Sequence, residues 1–99
     1  MSEQSHAELT ARLNAETGVV RWHELERHFA SGRLVSVAEG LDLVAVAAAF
    51  VEDDRDRVAA WMQSSRVLRT TASQARRWSD ADTELWAVVV APWVLVQPR

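Results

Sequence analysis

The sequence predicts an α+β fold, with four to five short helices around a small sheet, in a single domain over residues 1–99. Three observations predict it. Helix-start signals at Ser5, Asp42 and Thr71 each precede a stretch that suits a helix. Short β-branched runs, Val19-Val20 and Leu34-Val35-Ser36-Val37, lie between them. The chain then closes on the apolar run Leu85–Val96, which lacks alternation and so reads as the central strand, covered on both faces.

Each element follows in chain order. Ser5 and Glu8 have the spacing of a capping box, and Leu9 and Leu13 share one face, which predicts a helix over about 6–16. Gly18 is the expected left-handed stop. Trp22, Leu25 and Phe29 recur at helical spacing with charged residues between them, predicting a second helix that ends before Gly32. Leu43–Val51 is ambiguous, since its valines suit a strand. Its alanines and the acid Asp42 ahead of it favour a helix, which, apolar all round, belongs in the core. Asp53 or Asp54 caps a following helix that carries Val58, Trp61 and Met62 on one side. Val67-Leu68 reads as a short strand. Thr71 and Gln74 form a second capping box, opening a helix to about Ser79, with Asp80-Ala81-Asp82 as a loop. Pro92 cannot donate to a strand ladder, so Leu85–Val96 is bent or divided there.

Composition narrows the chemistry. The chain is 48% hydrophobic and 25% charged, an ordinary globular balance. Its formal charge of −3 weighs against nucleic-acid binding, which rests on neutralising phosphates. Cysteine is absent, which removes disulfides, thiolate nucleophiles and cysteine-ligated metal sites. All 11 basic residues are arginine, so mechanisms that need an ε-amine are excluded. The N-terminal residues have neither the basic nor the apolar region of a secretory signal. The two longest apolar runs fall short of the roughly 20 residues that span a bilayer. A cytoplasmic protein is the expectation, with no membrane partner.

Few constellations point to chemistry. His23, Glu24 and His28 resemble a zinc-protease helix only superficially, because the histidines are separated by roughly 140° around a helix. Glu24 and His28 can pair, but a solvated face is the simpler reading. Asp80, Asp82 and Glu84 alternate like the start of a calcium loop, yet Leu85 and Ala91 stand where that loop needs glycine and glutamate. Asp53, Asp54 and Asp56 answer a helix macrodipole. No catalytic residue, metal site or cofactor is expected. Arg66, Arg69, Arg76 and Arg77 form the one basic cluster, suited to phosphate or an acidic partner, and Trp78 beside it permits stacking on a base; a solvated basic face is again the simpler reading. Of the five tryptophans, Trp22, Trp61 and Trp78 read as core, and Trp86 and Trp93 as the pair to expect at a surface.

Two stretches also carry a resemblance. Trp22-His23-Glu24-Leu25 through Phe29-Ala30, continuing to Leu41-Asp42-Leu43-Val44, resembles the middle of the bacterial domain-of-unknown-function family 2288. Leu85 to Gln97, above all Ala91-Pro92-Trp93-Val94-Leu95-Val96-Gln97, resembles that family's C-terminal signature. The resemblance runs from about Leu9 to Gln97 and implies a small cytosolic bacterial protein. It implies no activity, cofactor or site residue.

The leading expectation is a non-catalytic interaction or homo-oligomeric module, partnered by a second copy or another protein. Its candidate surface is Trp86, Trp93, Arg66, Arg69, Arg76 and Arg77. One alternative is a nucleic-acid-binding accessory domain using the Arg66–Arg77 region. Another is a small enzyme using Asp42, Glu24 or His28.

Overall fold

The C-terminal apolar run divides at Pro92 into two antiparallel strands, and the rest of the architecture is arranged around them. The structure is a computed structural model that describes residues 5–99. Its elements are α1 (His6–Glu16), β1 (Gly18–Arg21), a 3₁₀ turn (Trp22–Glu24), α2 (Glu26–Ala30), β2 (Leu34–Val37), α3 (Leu43–Val51), α4 (Arg55–Gln63), β3 (Val67–Arg69), α5 (Ala72–Ala81), β4 (Glu84–Val90) and β5 (Trp93–Pro98). The sheet order is β1-β4-β5-β2-β3, which puts β5 at the centre. Among the described residues only the β2–β5 pair is parallel. The fold is therefore α+β, with five helices on a five-stranded mixed sheet among the described residues.

Strand alternation sends successive side chains to opposite faces, and each face has its own core. On the first face, Val35, Val37, Val88, Val90 and Leu95 meet Leu9 and Leu13 of α1 and Leu43, Val46, Ala47 and Ala48 of α3. On the second, Leu34, Leu85, Val94 and Val96 meet Trp22, Leu25 and the α5 residues Ala75 and Trp78. The two coverings demanded by an apolar segment are supplied here by the chain's own helices.

The caps explain the helix boundaries. Ser5 accepts from the Glu8 N–H, Asp42 from the Val44 and Ala45 N–H groups, and Asp54 from that of Arg57. Thr71 and Gln74 complete the capping box of α5.

Four expectations need correction. Gly18 does not stop α1. Thr17 is the cap in an extended conformation (φ −77°, ψ 128°), with its Oγ1 donating to the Leu13 carbonyl at 2.8 Å, so the chain leaves directly into β1. The Trp22–Phe29 stretch is not one helix, because it tightens into the 3₁₀ turn and breaks at Leu25. Three residues per turn align Trp22 and Leu25 on the second core, which α-helical winding would hold about 60° apart. Ala81 is not in a loop. It closes α5, and Asp82 ends the helix in the left-handed region at φ 44°. Finally, α3 is not enclosed on all sides: Val51, at its end, is 45% exposed.

Candidate functional site

That exposed end of α3 opens onto a depression. A cleft of about 790 Å³ lies between α3, α4 and the β4–β5 turn. Its apolar lining includes Phe50, Val51, Val58, Met62 and Trp93. Two of these, Val51 at 45% and Met62 at 54%, are among the most exposed large apolar side chains of the described residues; Val89, at 62%, stands opposite Val94 and so turns its side chain to the second face. The rim carries Arg12, Arg55, Asp53 and Asp54. Asp53, at φ 54°, holds the Arg55 guanidinium at 3.3 Å, while Asp54 caps α4. Helix α4 forms one wall. It buries none of its side chains fully, and Trp61 meets the first core only in part.

A smaller groove of about 210 Å³ lies across the second face, between the β2–β3 edge and α5. Its lining includes Ser36, Arg66, Gln74, Arg77 and Trp78. Beneath it runs a buried polar chain. Ser36 donates to Gln74 Oε1 at 3.1 Å and bonds to Thr70 Oγ1 at 2.7 Å. Ser36 and Thr70 are the buried polar residues of an otherwise apolar interior, and each hydroxyl finds a partner, as burial requires.

The six candidate surface residues do not come together. Trp86 is 37% exposed on β4, beneath the Arg99 guanidinium, which lies 5.6 Å from its ring. Trp93 is half-buried against the first core, lines the large cleft and has the Arg69 guanidinium 5.3 Å from its ring. Arg69 faces Val35 across the ladder and so shares the first face with it. Arg66 and Arg77 line the groove on the second face. Arg76 is exposed on α5. Four arginines that form a cluster in sequence are thus distributed to different sides of the sheet.

The remaining candidates have local tasks. Glu24 accepts from the Arg21 N–H at 2.8 Å, and the break at Leu25 separates it from His28. Asp42 caps α3. None of Asp42, Glu24 and His28 lines the cleft or the groove. Asp82 receives the Arg21 guanidinium at 3.2 Å and lies 3.5 Å from the His23 ring. Desolvation pushes its pKa up, but hydrogen bonds and charge from Arg21 and His23 outweigh this and hold it below the ordinary value. Glu84 pairs with Arg99 instead of joining Asp82. Among the described residues no group of three or more acidic or histidine side chains is placed to hold a metal ion, and no helix is long and apolar enough to cross a membrane.

Several residues that matter to these sites carried no signal in the sequence. Gln97 on β5 donates from Nε2 to the Ala38 and Leu41 carbonyls, both at 2.7 Å, tying down the loop that leads into α3. Val51 reads as core, and Ser36 and Gln74 as strand and cap.

The family model for "Protein of unknown function (DUF2288)" matches residues 8–98. The chain belongs to that family. The fold is also that of a solved structure described as the NMR solution structure of PA1075 from Pseudomonas aeruginosa, with a TM-score of 0.82 and 45% sequence identity. The match covers 100% of this chain and 91% of that one. A comparison with curated proteins gives no match. The family description assigns no chemistry, so the geometry has to carry the functional reading.

Proposed function

We propose that this chain is a non-catalytic, self-associating module whose docking surface is the cleft between α3, α4 and the β4–β5 turn. One observation carries the reading: Val51 and Met62, each exposed by 45% or more, line a single depression together with the half-buried Phe50, Val58 and Trp93. Lone exposed apolar residues are ordinary, whereas several gathered in one concave site cost solvation until a partner covers them.

A second copy is the occupant the surface fits. The exposed Ala91-Pro92 turn stands beside the hollow, so a twofold axis would let each copy set its turn into the other's cleft. The rim carries two basic and two acidic residues, which lets like meet like without net repulsion, although the chain as a whole has a charge of −3. A nucleic-acid reading that uses Arg66, Arg69, Arg76 and Arg77 together has less support, because Arg69 lies on the opposite face from the Arg66 and Arg77 groove.

Sedimentation velocity over a concentration series tests the proposal. A concentration-dependent dimer is expected, and Met62→Arg, at a side chain 54% exposed in the cleft wall, should abolish it while leaving the circular dichroism spectrum unchanged. A strict monomer at millimolar concentration would overturn the reading.

A further inference from the structure

The groove on the second face supports an inference independent of self-association. We infer that it is a binding site for a terminal phosphate group, held by Arg66, Arg77 and the Gln74 side-chain amide.

The polar chain beneath the groove sets the direction of that amide. Gln74 Oε1 accepts from the Thr71 backbone N–H at 3.0 Å and from the Ser36 hydroxyl at 3.1 Å. A backbone N–H can only donate, so the carbonyl oxygen, not the amino group, must face Thr71. Ser36 has one hydrogen, and it goes to Gln74. Thr70 must therefore be the donor in the 2.7 Å bond between the two hydroxyls. The chain runs in one direction, Thr70 to Ser36 to Gln74, and ends on an oxygen. The Nε2 donors lie on the other side of the amide, and among the described residues they have no hydrogen-bond partner within the protein. The Gln74 side chain is half-buried in the lining of the groove.

Two guanidinium side chains border the same space from different elements, Arg66 before β3 and Arg77 on α5. Neither forms an ion pair among the described residues, whereas Arg12, Arg21, Arg55 and Arg99 each do. Two unpaired cations and an oriented amide make the groove rich in donors. The single acid in the lining is Glu39.

Size and geometry select the ligand class. About 210 Å³ is below the range of sites that enclose drug-sized molecules. It suits one anionic group with the rest of its molecule outside. Arginine forks match phosphate oxygens bidentately, and the third oxygen is left for the amide. The phosphate could belong to free inorganic phosphate, a nucleotide or the end of a nucleic acid, and these sources can be told apart by titration.

The test is a titration of the full chain, followed by backbone amide NMR shifts, with inorganic phosphate, adenosine 5′-monophosphate, and an RNA oligomer with either a 5′-phosphate or a 5′-hydroxyl. Acetate is the control anion. Shifts confined to Ser36, Arg66, Gln74, Arg77 and their neighbours are expected with the phosphate-bearing probes. Tighter binding of the monophosphate than of inorganic phosphate would identify a nucleotide, and dependence of the oligomer on its 5′-phosphate would identify a nucleic-acid end. Arg77→Gln should weaken binding at least about tenfold, whereas Arg76→Gln, one residue outside the groove, should change it less than about twofold. Gln74→Glu keeps the acceptor that caps α5 and Ser36, so the fold is retained, but it replaces the donor with a charge and should eliminate binding. The inference is overturned by any of three results: no shift from any phosphate probe up to about 10 mM, equal losses in the Arg76 and Arg77 variants, or undiminished binding by Gln74→Glu.

Discussion

Both faces of the sheet bury apolar side chains, but they close differently. On the second face, aromatic packing reaches across the whole interior: Trp22 lies 6.1 Å from Trp78 and 5.8 Å from Phe29, both in tilted arrangements. What remains open there is a small polar groove. On the first face, α1 and α3 seal the sheet, but α4 stands off as a wall with no fully buried residue, and an apolar cleft remains. The difference teaches that covering a sheet with helices does not by itself remove apolar surface from water. Shape decides, and the first face leaves a hollow suited to a partner, whereas the second leaves one suited to a charge.

Five variants can break or sharpen that comparison. Leu95 on the first face and Leu85 on the second are both 0% exposed, on adjacent strands. Leu95→Ala and Leu85→Ala should each cost about 3 kcal/mol, within the range of buried leucine truncations. Chemical denaturation measures this, and a large gap between the two would show that the cores are not equally packed. Gln97→Ala removes two donors from the carbonyls of Ala38 and Leu41. It should cost about 1–3 kcal/mol and raise hydrogen exchange in the 38–42 loop first.

The cleft behaves oppositely if it serves a partner. Met62→Ser should leave monomer stability within about 0.5 kcal/mol, because the side chain is already 54% exposed, while weakening the dimer in sedimentation. The smallest effect concerns Asp82. Its folded pKa is lowered, so its contribution is present above the ordinary value near 3.8 and is lost as the pH falls through the lower folded value. Asp82→Asn tolerates the left-handed backbone and should be less stable than the parent at neutral pH. The difference should close in acid, and a gap that persists at pH 2 would contradict the ion-pair account.

Much of the fold was legible because its signals are local. Ser5, Asp42 and Thr71 cap helices by bonding to N–H groups two or three residues away, and that spacing is written in the chain. Pro92 divides the terminal run because a missing N–H is a property of the residue itself. The failures were at helix ends, where competing local solutions differ little in energy. The stop at Thr17, the 3₁₀ turn at Trp22 and the extension of α5 to Ala81 were each settled by contacts rather than by propensity.

The sites were scarcely legible. By itself the sequence determined the α+β class, the helix starts, the divided C-terminal segment and the family. Only tertiary structure decided that Arg69 and Arg77 lie on opposite faces, that Val51 and Met62 line one cleft, and that Ser36, Thr70 and Gln74 form one polar chain. The physical reason is range. A cap or a proline acts over a few residues, whereas a cleft is assembled from side chains far apart in sequence, whose exposure depends on how helices of given shape settle on a sheet.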